Sequence, residues 1–323
     1  MVDNRATARA HANIAVAKYW GKRSEALNLP FVDSIAFNVE KLTTETTAVW
    51  VSQDEQDVLS INNYQVPPHR MARMVRVLDE IRRLRGWPKR CVLTSHNAFP
   101  HSAGLASSAS GGAACALAAA TAAGLDLTQK QLSALARLGS GSAARSIPPG
   151  WTRWYAGQAD DGSDSYAVTI APPEHWPLHV FVVQVSNIPK SVSSSDGMRL
   201  SQSSPFWKTY LETASHAADH AQNAILHRDF RTFAEVMHES AMQLHALTMS
   251  AKPPLCYFAP QSIEVLQYVL RQCRTVPVCC TLDAGANIVL LCEASAASFV
   301  KNDITAMDLP FIQTRIGEGA MII

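Results

Sequence analysis

The pattern of apolar and polar positions predicts a mixed α/β chain without a regular βαβ period. Alternation at a period of two, or a short apolar run, is typical of strands. Such segments occur in both halves of the chain, at residues 6–16, 44–51, 57–61, 90–96, 166–171, 178–185, 276–283, 287–292 and 311–323. We therefore expect sheet structure in both halves.

Apolar residues at helical spacing predict helices between these strands. The predicted helices are residues 71–85, 107–123, 128–138, 205–226, 229–247, 260–274 and 295–302. Two of them, 107–123 and 128–138, are rich in alanine, whose small side chain permits close packing on a sheet. The polar stretch 186–196 predicts a loop between domains, and we expect an N-terminal domain of residues 1–180 and a C-terminal domain of residues 181–323.

Composition and charge limit the class of protein. The chain has 323 residues, of which 47% are hydrophobic and 17% charged, enough apolar material for two cores. A net charge of +1 indicates neither a nucleic acid nor a membrane as the main partner. The first residues do not show the charged and then apolar pattern of a signal peptide, and there is no apolar run of about 18 residues, so we expect neither a leader nor a membrane span. Seven cysteines without CxxC spacing indicate buried thiols in a reducing compartment. We expect a soluble, cytoplasmic protein.

Residues 97–112 join an apolar strand to an alanine-rich helix and place three serines at the junction. The first turn of a helix has unpaired N–H groups and a positive dipole end, and small residues let an anion approach the backbone. This segment therefore suits phosphate binding. A Pro/Gly turn followed by a serine N-cap is also an ordinary way to begin a helix, so both interpretations stay open.

Three further segments have a chemical and an ordinary interpretation. Residues 13–23 end a strand with Lys18, two aromatic residues and two more cations. Residues 139–146 place Arg145 after a run of small residues, Gly-Ser-Gly-Ser-Ala-Ala. Residues 281–287 put a single carboxylate, Asp283, at the end of a very apolar strand. An arginine beside serines suits a carboxylate or phosphate, and a carboxylate in low dielectric beside a cation suits a base. Taken singly, each segment is explained slightly better by its ordinary interpretation, which is a solvated strand end, a helix C-cap and a turn aspartate, respectively.

Together and in this order, the four segments resemble the diphosphomevalonate decarboxylase family of the GHMP kinase superfamily. The matching motifs are Asn-Ile-Ala-Val-Ala-Lys-Tyr-Trp-Gly-Lys (13–22), Phe-Pro-His-Ser-Ala-Gly-Leu-Ala-Ser-Ser-Ala-Ser-Gly (99–111), Gly-Ser-Gly-Ser-Ala-Ala-Arg-Ser (139–146) and Asp-Ala-Gly-Ala-Asn (283–287). Weaker similarities lie at residues 193–198 and 242–246. The resemblance implies an α+β, two-domain GHMP kinase fold, with a ribosomal protein S5 domain 2-like N-terminal domain and a ferredoxin-like α/β C-terminal domain.

The activity implied by this resemblance is the ATP-dependent decarboxylation of mevalonate 5-diphosphate to isopentenyl diphosphate, with release of ADP, phosphate and CO2. ATP is then a co-substrate that binds with Mg²⁺. The sequence offers no obvious protein carboxylate for that metal, so we expect nucleotide and water to hold it and predict no metal-ligating residue. The resemblance also implies a homodimer.

The matched positions carry the roles that the resemblance implies. Asp283 would accept the proton of the C3 hydroxyl, Lys18 would keep that aspartate ionised and offset transition-state charge, and Arg145 would hold the substrate carboxylate. The implied substrate contacts are Tyr19, Trp20, Gly21, Lys22, Arg73, Ser140, Gly141, Ser142, Ala143, Ala144, Ser194 and Ser195. Arg70 or Arg76 replaces Arg73 if the register shifts by one turn. The implied ATP contacts are Asn97, Pro100, Gly104, Leu105, Ala106, Ser107, Ser108 and Ser110.

Several positions depart from the family pattern and leave the substrate open. They are His101 and Ser102 in the phosphate loop, Asp33, the pair Pro148 and Pro149, and Ala286. A related decarboxylase acting on mevalonate 5-phosphate or mevalonate, or a 3-kinase that phosphorylates one of them and stops there, is an alternative. So is a GHMP-fold regulator that binds nucleotide without catalysis, although such a protein has no need to retain Asp283, Lys18 and Arg145 together.

Overall fold

The computed structural model describes residues 4–53, 55–99, 107–186 and 190–323. Within these ranges the strands are β1 Arg5–Ala17, β2 Lys22–Ser24, β3 Leu29–Pro30, β4 Ser34–Val51, β5 Val58–Ile61, β6 Tyr64–Gln65, β7 Arg90–Asn97, β8 Trp151–Trp154, β9 Ala167–Ala171, β10 His179–Val183, β11 Val278–Leu282, β12 Ile288–Cys292, β13 Phe311–Thr314 and β14 Met321–Ile322. The α-helices are α1 Ala72–Arg85, α2 Ser107–Ala122, α3 Gln129–Gly139, α4 Ser194–Ser201, α5 Trp207–His227, α6 Phe230–Met249, α7 Pro260–Gln272 and α8 Ala297–Ala306. The expected α+β class is confirmed.

The first sheet is built around the long antiparallel pair β1 and β4. Its strand order is β14-β1-β4-β7-β5-β6, and β8 pairs with both β4 and β9. The alanine-rich helix α2 packs against β1 and β4 in a core that also includes α1 and α3. Because α2 presents almost only alanine to the sheet, its backbone can lie close to the strands, and the Ala119 carbonyl accepts a 2.9 Å hydrogen bond from the Trp50 indole.

The second sheet has the antiparallel order β11-β12-β10-β13. Helices α7 and α8 cover one face. The other face shares a core with β1, β4, α5 and α6, in which Trp151, Trp176 and Phe233 make edge and stacked contacts. This shared core brings the end of β11 beside the end of β1, so that Asp283 and Lys18 face each other.

Four elements differ from the sequence-based expectations. Strand β4 begins at Ser34, ten residues before the predicted start, and β8 was not predicted. Residues 34–39 of β4 are all buried, as are three of the four residues of β8, so neither segment shows alternation. The predicted loop 186–196 gives way to α4 at Ser194, where the Ser193 hydroxyl caps the helix by accepting from the Asp196 N–H. The predicted strand region 311–323 is divided into β13 in the second sheet and β14, which pairs with β1 in the first.

Of two further expectations, the one about cysteines is partly wrong and the one about the domain boundary is untested. Five cysteines are buried as expected, but Cys256 and Cys273 are exposed, so the expectation of buried thiols is wrong for those two. The division at residue 180 stays a prediction. Over the described ranges, no helix is long and apolar enough to cross a membrane.

Candidate active site

A cleft of about 610 Å³ opens between the ends of β1 and β11, the first turn of α2 and helix α4. Both halves of the chain line it. The lining residues are Asn13, Ala15, Lys18, Tyr19, Trp20, Lys22, Asn28, Arg73, Ser107, Ser108, Ser140, Gly141, Ser142, Arg145, Lys190, Ser193, Ser194, Ser195, Met198, Leu244, Asp283 and Ala284.

An ion pair between Lys18 and Asp283 lies at the centre of the cleft. The Lys18 Nζ is 2.5 Å from Asp283 Oδ1 and also donates to the Ala15 carbonyl at 3.0 Å. The lysine side chain is only 1% exposed, whereas that of Asp283 is 38% exposed. Burial lowers the pKa of Lys18, and the neighbouring carboxylate opposes that shift. The accessible partner of the pair is therefore the carboxylate, which is free to meet a ligand.

Helix α6 supports this pair from behind. The Ser240 hydroxyl accepts a 2.8 Å hydrogen bond from the Lys18 N–H, which fixes the backbone where β1 ends. One turn further along α6, His245 packs on Phe258 and is 1% exposed. Burial, with a smaller contribution from the Lys18 charge, lowers the pKa of His245 to about 4. His245 is therefore neutral beside the ion pair at neutral pH.

Arg145 lies in the short 3₁₀ turn Gly141–Ser146 and reaches the same cleft. Its Nε donates to Asn13 Oδ1 at 3.1 Å and its Nη1 to Ser34 Oγ at 2.7 Å. Burial lowers the pKa of Arg145 to about 10, so the group stays protonated at neutral pH. Over the described ranges, no carboxylate lies within ion-pair distance of this guanidinium. The arrangement suits an anionic ligand.

One end of the cleft, which we call the cation end, is formed by Lys22, Arg73 and Ser195. The Ser195 hydroxyl accepts from Lys22 Nζ at 3.1 Å and from Arg73 Nη2 at 2.9 Å. Lys22 Nζ also pairs with Glu25 at 3.1 Å, and burial lowers its pKa. Arg73 lines the cleft, whereas Arg76 donates to the carbonyl of Ala26. Two cations that converge on one hydroxyl are suited to phosphate oxygens.

The wall between the cation end and Arg145 is made by Ser140, Gly141 and Ser142 facing Tyr19. A Cβ at Gly141 would lie 2.6 Å from the Tyr19 hydroxyl, so only glycine allows this approach. That hydroxyl is buried and has no hydrogen-bond partner within the described residues. Trp20 lines the cleft by its ring alone, because its indole N–H donates to Ser201 Oγ at 2.9 Å.

Some residues implied by the resemblance lie behind the lining rather than in it. Ala143 and Ala144 are fully buried, and the Trp207 ring covers the place that a Cβ of Gly21 would take. Ser110 shares a 2.7 Å hydrogen bond with Thr44 Oγ1, which in turn donates to Asn97 Oδ1 at 2.7 Å. These residues are not among those that line the cleft.

The nucleotide positions implied by the resemblance are only partly described. Ser107 and Ser108 begin α2 and line the cleft, and their contact with the nucleotide phosphates stays a prediction. The other expected ATP contacts in this loop, Pro100, Gly104, Leu105 and Ala106, lie outside the described residues.

Sequence reasoning missed several lining residues, among them Asn13, Asn28 and Lys190. The Lys190 Nζ donates to Ser194 Oγ at 2.7 Å and to the Ala284 carbonyl at 3.0 Å. Asn13 begins the motif that carries Lys18, so the motif already drew attention to it. Its role could not be predicted, because it accepts a hydrogen bond from Arg145, 132 residues further along the chain. The one local signal for Lys190 was its place just before a serine run.

The fold and the cleft define an α+β enzyme of the GHMP kinase superfamily whose site is suited to anionic ligands. Two family models match the chain: the diphosphomevalonate decarboxylase-like N-terminal domain over residues 10–167 and the mevalonate 5-diphosphate decarboxylase C-terminal domain over residues 180–313. The chain therefore belongs to the diphosphomevalonate decarboxylase family.

Similar proteins agree with this assignment. Diphosphomevalonate decarboxylase of Aspergillus fumigatus is 36% identical over 94% of this chain and 80% of its own length. The crystal structure of mevalonate diphosphate decarboxylase from Staphylococcus aureus has a TM-score of 0.92 at 34% identity, covering 99% of this chain and 98% of that one. A structure of MDDEF in complex with MVAPP, AMPPCP and magnesium has a TM-score of 0.91 at 32% identity, with the same coverage.

Proposed function

We propose that this chain catalyses the ATP-dependent decarboxylation of mevalonate 5-diphosphate to isopentenyl diphosphate, ADP, phosphate and CO2. The observation that carries the proposal is the convergence of Asp283, Lys18 and Arg145 on one cleft with a cation end. The related MDDEF structure holds MVAPP, AMPPCP and magnesium together, which supports a substrate, a nucleotide and a metal ion in the same kind of cleft.

In the first step, the γ-phosphoryl group of ATP passes to the C3 oxygen. Hydroxide is a poor leaving group from this tertiary carbon, and phosphorylation replaces it with phosphate, a better one. Asp283 accepts the hydroxyl proton as the O–P bond forms. Lys18, at 2.5 Å from that carboxylate, orients it and offsets negative charge as phosphoryl transfer proceeds. The more exposed Asp283 faces the substrate, and the buried lysine holds it in place.

In the second step, the C3–O bond breaks with release of phosphate, and the electron pair of the breaking carboxylate bond forms the alkene as CO2 departs. The Arg145 fork pairs with the substrate carboxylate and orients it for this elimination. Asn13 and Ser34 hold the fork from behind through the bonds to Nε and Nη1. A group that only transferred phosphate would have less need of such a pairing.

The two ends of the cleft bind the two phosphate chains. At the cation end, Lys22, Arg73, Ser194 and Ser195 hold the substrate diphosphate, with Tyr19 and residues 140–142 forming the wall. At the start of α2, the hydroxyls of Ser107 and Ser108 and the helix dipole face the nucleotide phosphates. Mg²⁺ bound with the nucleotide would offset phosphate charge, and the Ser107 and Ser108 hydroxyls would be oxygen donors available to it beside nucleotide and water.

The remaining proposals concern the whole molecule. We propose a cytoplasmic homodimer, as the resemblance to the family implies, with the N-terminal domain ending near residue 180. Light scattering of the purified protein measures its mass in solution, and a mass of one chain contradicts the dimer.

The activity is tested by mixing the purified protein with ATP, Mg²⁺ and mevalonate 5-diphosphate and following ADP and CO2. Equal amounts of both products are expected. ADP without CO2 indicates a 3-kinase, and neither product, with tight nucleotide binding, indicates a regulator. The same assay with mevalonate 5-phosphate measures which substrate has the higher kcat/KM.

A further inference from the structure

Arg137 is a buried arginine whose hydrogen-bond partners are all backbone carbonyls. It lies in the last turn of α3 and is 3% exposed. Its Nε donates to the Leu27 carbonyl at 3.1 Å, and its Nη1 donates to the carbonyls of Gly162, at 2.9 Å, and Ser165. Among the residues the structure describes, no carboxylate is within ion-pair distance of this guanidinium. Burying a charge without a counter-ion costs free energy of folding, so we ask what this arginine contributes in return.

The charges around Arg137 do not account for that contribution. Asp161 and Asp164 act on it from a distance and raise its pKa, while Arg23 lowers it. Burial has the largest effect and lowers the pKa of Arg137 to about 10, so the group remains a cation at neutral pH. The Asp164 carboxylate accepts instead from the backbone N–H groups of Gln158 and Ala159. The contribution of Arg137 must therefore come from the hydrogen bonds by which its guanidinium joins three backbone carbonyls.

Asn28 connects the end of α3 to the cleft. The Asn28 Nδ2 donates to the main-chain carbonyls of Arg137, at 2.9 Å, and Leu138, at 3.1 Å. Asn28 lines the cleft, and so does Ser140, three residues after Arg137. The loop between β2 and β3 is thus tied to α3 from both sides, by the Arg137 side chain at Leu27 and by the Asn28 side chain at the Arg137 carbonyl.

The same loop borders the cation end. Lys22 is the first residue of β2, the strand that leads into the loop, and it pairs with Glu25 in the loop. Arg76 donates to the Ala26 carbonyl at 2.5 Å. A shift of this loop would move Lys22 and Asn28 relative to Ser140 on the opposite wall. Misplacement of binding groups by about 1 Å can weaken their effect by up to about two orders of magnitude.

We propose that Arg137 is a positioning residue for the cation end of the cleft. Its guanidinium fork joins the β2–β3 loop and residues 162–165 to the end of α3, so that Lys22, Asn28 and Ser140 face one phosphorylated ligand. Lysine cannot replace it, because a single ammonium does not reproduce the planar fork that bonds carbonyls on two sides. The identity of the ligand rests on the proposed function, but the positioning role does not.

The test is calorimetric binding of inorganic pyrophosphate, with saturating ADP present to fill the nucleotide end. Arg137→Lys retains the charge and loses the fork. Asn28→Gly removes the amide bonds and accepts the positive φ of 52° at this position, and it keeps the test available if the arginine variant fails to fold. The control is Arg83→Lys, an exposed arginine of α1 paired with Glu80.

Both Arg137→Lys and Asn28→Gly are expected to raise the Kd for pyrophosphate about tenfold, equivalent to about 1.4 kcal/mol, and to leave the Kd for ADP unchanged. Arg83→Lys should match the wild type. An unchanged Kd for pyrophosphate in both variants overturns the proposal, and so does an equal loss of ADP affinity, since that indicates general loosening of the fold.

Turnover separates this inference from the proposed function. If the wild type releases neither ADP nor CO2 from mevalonate 5-diphosphate, the proposed function fails while the pyrophosphate result still stands. If the wild type is active, Arg137→Lys should raise the KM for the phosphorylated substrate and leave that for ATP unchanged. A fall in kcat with both KM values unchanged contradicts a positioning role.

Discussion

Lys18 and Asp283 are 265 residues apart in the chain, yet each determines what the other can do. A lysine buried alone tends to lose its proton, and an aspartate alone in this cleft has no fixed orientation. Paired, the carboxylate favours the charged form of the lysine, and the lysine holds one oxygen of a carboxylate whose side chain is 38% exposed. At the scale of single residues, chemistry therefore depends on partners that local sequence does not specify.

Replacing Asp283 by Asn tests the base directly. The change keeps the shape of the side chain and removes its ability to accept a proton, so kcat should fall by about two to four orders of magnitude while KM changes little. Steady-state release of ADP and CO2 measures both constants. Asp308→Asn, at an exposed position, is the control, and a kcat near that of the wild type in Asp283→Asn removes Asp283 from the role of base.

Replacing Arg145 by Gln tests the carboxylate clamp. Glutamine remains polar but lacks the charge and the fork, so turnover should fall at least about tenfold. Quantifying CO2 and ADP in the same reaction measures the loss. Arg83→Gln, on the exposed face of α1, should retain normal rates. If Arg145→Gln does the same, Arg145 does not take part in catalysis.

At the scale of elements, the ends of helices and strands position the site. Lys18 follows β1, Asp283 follows β11, Ser107 begins α2, and residues 140–142 follow α3. These ends are held by caps and by neighbouring elements rather than by the ligand. Helix α3 begins with a capping box, in which Thr128 Oγ1 accepts from the Gln131 N–H and Gln131 Oε1 accepts from the Thr128 N–H.

Removing that cap by Thr128→Ala should lower the free energy of unfolding by about 1 kcal/mol. The KM values should not change, because the cap lies at the far end of α3 from Ser140. Urea unfolding and steady-state kinetics measure the two quantities. Thr209→Ala, at an exposed position in α5, should stay within about 0.5 kcal/mol of the wild type. An equal stability for Thr128→Ala and the wild type would mean that the cap is unimportant.

At the scale of the whole molecule, one core joins both sheets, and α6 crosses behind the ion pair. Burial of His245 on this helix has a consequence for stability. Its pKa is about 4 in the folded chain, against 6.5 for an ordinary histidine. The unfolded chain therefore binds a proton at a higher pH than the folded chain, so the stabilising contribution is present above pH 6.5 and is lost as pH falls toward 4.

His245→Phe should consequently flatten the acid side of the stability profile. Between pH 6.5 and about pH 4 the wild type should lose about 3 kcal/mol more than the variant, because the charged groups that face this ring, Lys18 and Asp283, remain in both proteins. Urea unfolding across this pH range measures the difference. The exposed His216, replaced by Phe, serves as control; parallel profiles for the wild type and His245→Phe contradict the assignment.

The printed sequence was sufficient to predict the α+β class, most of the helices and the segments that carry Lys18, Arg145 and Asp283, because periodicity and short motifs are local properties. It did not predict β8, the early start of β4 or the return of β14 to the first sheet, since strand pairing is chosen by contacts across the fold. Nor did it predict Asn28, Lys190 and Arg137 as parts of the site. Their partners lie far away in the chain, and hydrogen bonds and burial arise only once the two sheets share one core.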